Sequence, residues 1–422
     1  MASNRIPTPA WRSLHGLDWL NFFIADVETA FGPFVAVYLA SMGWRPDDIG
    51  LVIAIGGIAS VASQAPGGAL IDWIPSKRII VGAALGLIAA GALVIAIEPS
   101  FWLVIIAELL HGATGGMIKP ALAGLALGLV GHGALSRRLG RNQGFKSFGN
   151  AATAGLMGLL GQYASNRAPF LAAACLCLPA ALALRMIRAE DIDYAEARSA
   201  ADRENPRKGH RLRDAARNRD LQVFILCLTL FQIANAPLAT LASSRLAYEH
   251  APVPDLITAA VVVIPQAVAA LIAVWIAARS DDWGRKPLLL VGLSAVVARS
   301  TLLALTASPW ALLALQLLDG ISAAVIGIML PLVIADLTRG TGRYNLAQGV
   351  AGTAMGGGAA LAMGVSGYAV AHLGYTIGFF LLTIVALLDI AVLLWGFAEP
   401  RPGTLPAWMS RLRMPKPLRG RD

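Results

Sequence analysis

Nine ionisable side chains interrupt otherwise apolar stretches of this 422-residue chain: Asp26, Glu28, Glu108, His111, Lys119, Lys146, Arg299, Asp319 and Asp389. A charge at membrane depth is costly unless it is paired or hydrated, so each is a candidate for handling a proton or a solute. At about 100° per residue, Glu108, His111, Gly115 and Lys119 share one helical stripe, with Gly112 beside it. The stripe offers an acid, an imidazole and a base, with which a proton and a substrate could share or compete for one site. Asp26 and Glu28 sit two residues apart, about 200° around a helix, so one faces a solute or proton path and the other pairs between helices. Arg299 and Asp319 lie at similar depths, roughly 11 and 14 Å from one end of their runs, which predicts a buried pair; Asp389 is the competing partner. Such a pair could equally do no more than fix helix packing. Lys119 is expected to face a cavity, and Lys146, near the start of its run, to snorkel.

The elements that must position these groups are membrane-spanning helices. Hydrophobic residues make up 57% of the chain and charged residues only 14%, whereas a soluble domain is about a quarter charged. Runs long enough to cross a bilayer, about 20 residues each, centre near Glu28, Ala59, Ala89, His111, Ala154, Leu178, Phe231, Pro265, Ala298, Ile321, Gly357 and Leu387. Twelve spans follow, an all-α membrane protein. The segment from Arg188 to Arg219 is dense in Arg, Asp and Glu and reads as a solvent-exposed linker. It divides the chain into a six-helix bundle at 1–188, a linker at 189–219, a second six-helix bundle at 220–398 and a basic tail at 399–422. No cleavable signal is read before the first span.

The net charge of +9 would suggest nucleic acid in a soluble protein; here it reports orientation. With the N-terminus in the cytoplasm, 28 of the 34 Lys and Arg fall in cytoplasmic loops and tails, three fall opposite and three lie within spans. The positive-inside rule therefore places both termini in the cytoplasm. Cys175, Cys177 and Cys227 lie in apolar runs without metal-ligand spacing, so they read as small hydrophobes. No P-loop is present, which argues against ATP-driven transport. No clustered nucleophile or ligand set suggests an enzyme.

The halves repeat. Gly68-Ala69-Leu70-Ile71-Asp72-Trp73 with Lys77-Arg78 aligns with Ala277 to Asp282 and Trp283-Gly284-Arg285-Lys286. Trp102, six residues before Glu108, aligns with Trp310, six before Gln316, and Gly140-Arg141-Asn142 aligns with Gly342-Arg343-Tyr344-Asn345. Duplicated halves are a recurrent plan for secondary transporters. The sequence resembles the major facilitator superfamily over essentially its whole length, through twelve spans, a long central loop and the Gly-x-x-x-Asp-Arg-x-Gly-Arg-Lys type of loop motif. The second copy matches at Asp281, Gly284, Arg285 and Lys286, with Ala277 in place of the leading Gly. The first matches at Gly68, Asp72 and Lys77, and departs at Trp73, Pro75 and Ser76. Drug-proton antiporters of the superfamily usually carry an Arg in the fourth span, where this chain has Glu108, and a Gly-Pro pair in the fifth, which has glycines but no proline.

In the superfamily's fold, spans 2 and 11, and spans 5 and 8, meet across the halves, and span 4 lines the central cavity. The resemblance thus predicts two latches, Asp72 with Arg343 and Asp281 with Arg141. An acid at a helix end can also engage the positive N-terminus of a facing helix. The function implied is rocker-switch transport of a small organic solute by a monomer in a bacterial inner membrane, proton-coupled and without metal or cofactor, with efflux favoured over uptake. Uptake of an organic anion, or a non-transporting sensor on the same fold, are the alternatives.

Overall fold

The structure, a computed structural model, describes residues 11–30, 33–74, 76–165, 167–199, 218–249, 255–306 and 308–400. The described residues form helices α1 (Trp11–Ala30), α2 (Pro33–Ser41), α3 (Pro46–Trp73), α4 (Lys77–Ile97), α5 (Phe101–Tyr163), α6 (Ala168–Met186), α7 (Arg219–Glu249), α8 (Asp255–Trp283), α9 (Arg285–Leu305), α10 (Pro309–Leu337), α11 (Tyr344–Leu373) and α12 (Tyr375–Gly396). Two short 3-10 turns, Ala189–Asp191 and Glu196–Arg198, lie in the linker.

Length and hydropathy make ten of these helical stretches candidate membrane spans. At 1.5 Å per residue the 63 residues of α5 would extend about 95 Å, three times the thickness of a bilayer's hydrocarbon core. Helix α5 therefore carries two spans, those centred on His111 and Ala154. It is broken at Gly131, whose φ of 65° and ψ of 176° are not helical, a conformation open to glycine because it lacks a Cβ. Helices α1 and α2 lie on the first expected span. Trp102 and Trp310, the second residues of α5 and α10, are both exposed, as aromatic residues at a membrane interface are.

The chain divides into two compact units. The first holds α1 to α6, the linker as far as Ser199, and Thr338–Thr353; the second holds α7 to α10, the remainder of α11 and α12. In the first, α5 packs on α1, α3 and α4, and α6 on α1 and α4. In the second, α10 packs on α8 and α9, and α12 on α7 and α9. The sequence repeat thus reappears as a repeat of packing: α3 on α5 corresponds to α8 on α10, and α4 on α6 to α9 on α12. One boundary differs from expectation. Sixteen residues around the start of α11, Thr338–Thr353, belong with the first unit, because hydrogen bonds from α3 and the linker hold them there.

Candidate functional site

Glycines decide how closely α3 and α5 approach. A Cβ on Gly112 would collide with the Gly56 carbonyl, and one on Gly116 would lie 2.8 Å from the Ser60 carbonyl and 3.0 Å from Gln64 Cγ. Ser63 Oγ donates to the Gly112 carbonyl at 3.4 Å. The Gly112–Gly116 side of α5, beside the Glu108–His111–Gly115–Lys119 stripe, is therefore a packing face against α3. Gly115 has open space where a side chain would be, His111 is half-buried and Lys119 is exposed.

Glu108 sits where the packed and open sides meet. It is 4% exposed, its Oε1 has no hydrogen-bond partner among the described residues, and its Oε2 occupies the space a Cβ on Gly56 would fill. A lone carboxylate in an apolar helix seam is costly unless a proton or a cation neutralises it.

In the second unit the opposite arrangement holds. Arg299, 1% exposed, donates through Nη1 to Asp319 and to Asn235 Oδ1 at 3.2 Å, and through Nη2 to Gln316 Oε1 at 2.9 Å. The depth argument's pair, Arg299 with Asp319, is present, and α7 and α10 supply two neutral acceptors beside it. Asp389, the competing partner, is fully buried in α12, where its carboxylate faces the Cys227 thiol of α7. Lys146 is half-buried. The side chains of Asp26 and Glu28 lie outside the described residues.

The loop motifs occupy the ends of α3 and α8. Asp72, 4% exposed, accepts hydrogen bonds from Asn345 Nδ2 at 2.7 Å, from the Asn345 N–H at 3.3 Å and from the Leu346 N–H at 2.8 Å. It caps the first turn of α11, satisfying N–H groups that have no intrahelical partner and meeting the positive end of the helix dipole. Arg343 was the expected partner. It instead precedes the helix, with its own N–H donating to Thr341 Oγ1 at 3.2 Å; backbone donors on the facing helix replace its guanidinium. Gly68 permits the approach, since a Cβ there would collide with the Asn345 carbonyl. Lys77 is fully buried and donates to the carbonyls of Ile71 and of Ile74, the latter at 3.1 Å.

The second motif closes on its own neighbourhood. Gly284 takes a φ of 91° ahead of α9. Arg285, fully buried, donates to Asp336 Oδ2 at 2.9 Å, to the Ser280 carbonyl at 2.6 Å and to Asp281 Oδ1 at 3.3 Å. Lys286 Nζ donates to the carbonyls of Leu394 and Phe397 at 2.8 and 2.9 Å. Glu399 accepts the N–H groups of Arg285 and Lys286 at 2.9 and 2.7 Å, an N-terminal cap from the distant end of α12. The Asp281 carboxylate therefore meets Arg285, and Arg141, its expected partner, lies 2.7 Å from Asp18.

Four contributors escaped the sequence reading. Asp18, 1% exposed, also pairs with Arg138, and Arg138 Nε donates to Asn142 Oδ1 at 2.7 Å, tying α1 to the second span of α5. Asn345, Asp336 and Glu399 are the others. The available signal for Asp18 was an acid near the start of the first span matched by a basic cluster at Arg137, Arg138 and Arg141.

The profile of the Major Facilitator Superfamily matches residues 17–295 and 254–412. An uncharacterized MFS-type transporter of Mycobacterium tuberculosis is 35% identical over 392 residues, covering 92% of this chain and 93% of the relative. The quinolone resistance protein NorA of Staphylococcus aureus is 24% identical over 144 residues, 34% of this chain and 37% of that one. Among solved structures, the human organic anion transporter MFSD10 (TETRAN) aligns with a TM-score of 0.72 at 18% identity, covering 90% of this chain and 99% of that one. The proton:xylose symporter XylE, bound to 6-bromo-6-deoxy-D-glucose, aligns at 0.73 and 15% identity, covering 93% and 97%. These likenesses, with the repeated helix packing and the two loop motifs, show that the chain belongs to the major facilitator superfamily and is a multi-pass membrane protein of the secondary-transporter type.

Proposed function

We propose that the chain exports a small organic solute across a bacterial inner membrane by alternating access, driven by a proton gradient, as a monomer with both termini in the cytoplasm. The carrying observation is Glu108: buried in the α3–α5 seam, with one carboxylate oxygen unpartnered and the other lodged against Gly56. The proton is the neutralising partner the site lacks, and its exchange couples the gradient to the solute. His111 and Lys119, on the more open side of α5, contact the solute. Asp72, bound to the start of α11, holds the cytoplasmic end closed. Arg299 and Asp319 compensate each other, so their role is to fix α9 against α10 at the edge of the path.

A second reading, proton-coupled uptake of an organic anion, is favoured by the exposure of Lys119 on that helix and by the likeness to the human organic anion transporter.

The test is pH-gradient-driven transport in proteoliposomes against a panel of anionic, cationic and neutral compounds. Glu108→Gln is expected to keep solute exchange and lose uphill transport; wild-type uphill transport by that variant sinks the proposal. Gly56→Ala, whose Cβ displaces the carboxylate without touching its chemistry, is expected to shift the pH dependence of transport and to have little further effect in the Glu108→Gln background.

A further inference from the structure

The linker was expected to be a solvated tether, yet its first twelve residues are seated. At its start, Ser13 Oγ at the head of α1 donates to Asp191 Oδ2 at 2.5 Å and accepts the Arg188 N–H at 3.0 Å. The Asp193 N–H donates to the Gly128 carbonyl of α5 at 2.9 Å. Arg198, 4% exposed, donates to the Asp72 carbonyl at the end of α3 at 3.0 Å. The Ala197 carbonyl accepts from Asn345 Nδ2 at 3.1 Å, and the Ser199 carbonyl accepts the Gly342 N–H at 3.1 Å. The same Asn345 amide that binds Asp72 thus also binds the linker.

The seat has a built floor. Gly124 and Gly128 lie one turn apart on α5, and a Cβ on Gly128 would lie 2.8 Å from Ala197 Cβ and 3.0 Å from the Asp193 carbonyl. Ile192, Ala195 and Ala197 are buried, so small and apolar linker residues face small helix residues. His132 closes the row. Its Nδ1 lies 2.6 Å from Glu196 Oε1 and its Nε2 3.1 Å from Ser199 Oγ. A carboxylate can only accept, so Nδ1–H donates, and in the neutral ring Nε2 accepts from the hydroxyl. Acid, imidazole and hydroxyl in that order could activate a nucleophile. Ser199, however, is 2% exposed and its own N–H is committed to the Glu196 carbonyl at 2.7 Å, so among the described residues the hydroxyl is shut in and that N–H is not available to an oxyanion. The row holds structure: Ser199 keeps a φ of 58°, rare for a residue with a Cβ, a conformation that persists only where its surroundings over-determine it.

We propose that Arg188–Ser199 is a clasp that must leave its seat on α5 before the start of α11 can part from α3. It rests on the alternating-access reading, in which that parting opens the cytoplasmic end. The linker's covalent path makes the clasp part of the gate: whatever pulls on the residues after Ser199 acts directly on Asn345 and Asp72.

The experiment follows the alkylation rate of Gln348→Cys, a buried position just inside α11, by a membrane-impermeant maleimide in a Cys175→Ser background, since Cys175 is the exposed native cysteine. Arg198→Ala and His132→Gln are each expected to raise the rate about tenfold or more, the scale of losing one charge-assisted hydrogen bond, and Gly128→Val, whose side chain would collide with the seated linker, is expected to raise it at least as far. His132→Gln keeps a polar side chain of similar reach should Arg198→Ala fail to fold, and only variants with a near-wild-type melting midpoint are scored. An unchanged rate in folded clasp variants, with a raised rate in Asp72→Asn, overturns the clasp alone. An unchanged rate in Asp72→Asn as well overturns the reading of this seam as a gate.

Discussion

The same loop motif occurs at the ends of α3 and α8, and in the two places it performs opposite work. In the first copy the acid reaches outward: Asp72 binds the N-terminal turn of α11, while its base, Lys77 at the start of α4, is buried against the carbonyl end of α3. In the second copy the base reaches outward: Arg285 and Lys286 tie α9 to Asp336, Leu394 and Phe397, while the Asp281 side chain is 39% exposed. The leading residue follows suit. Gly68 lets another backbone into contact, and Ala277, fully buried, carries a Cβ in that place. A motif shared by two repeats therefore fixes where charges stand, and the neighbouring small residue decides which of them reaches the backbone of another helix.

If that contrast is right, the largest effect belongs to Gly68→Val. The obstructed atom is a backbone carbonyl, which cannot rotate aside as a side chain can, so α3 and the start of α11 must separate. Expected are a high labelling rate at Gln348→Cys and a collapse of transport in protein that still folds. Asp72→Asn comes next. Hydrogen bonds to a charged group contribute about 1.5–3 kcal/mol, and about 1.4 kcal/mol is a factor of ten. The balance between closed and open cytoplasmic ends should shift about ten- to a hundredfold, with the amide also turning N–H groups towards the N–H donors of α11. Equal labelling rates in wild type and Asp72→Asn would refute the outward-reaching acid.

What could be read in advance was set by how residue types advertise themselves. Glu108, Arg299 and Asp319 stand out because a charge inside an apolar run is rare and needs a reason. Gly112 was equally visible, yet glycine permits both an open cavity wall and a close helix approach, and only the position of α3 separates the two. The Asp72 latch was legible as an acid but not as a pair. Spacing points to the obvious counter-charge, Arg343, whereas the partners are N–H groups that every residue carries and that become donors only because a helix begins there. The seated linker was hidden by composition: its Arg, Asp and Glu suggest a solvated strand, and the small residues that fit Gly124 and Gly128 carry little signal on their own.

The smallest expected effect is the sharpest check on the comparison. The Asp281–Arg285 pair spans 3.3 Å within one loop, with Asp281 partly exposed, and pairs of that kind contribute about 0–1 kcal/mol. Arg285 keeps Asp336 at 2.9 Å and the Ser280 carbonyl at 2.6 Å whatever occupies position 281. Asp281→Asn should therefore leave the melting midpoint, the labelling rate at Gln348→Cys and the transport rate within about twofold of wild type, matching that small term. A conformational shift as large as that of Asp72→Asn would mean that Asp281 leaves its loop in another state of the cycle and connects there. The asymmetry between the copies would then belong to one conformation, with each acid taking its turn as the bond that holds.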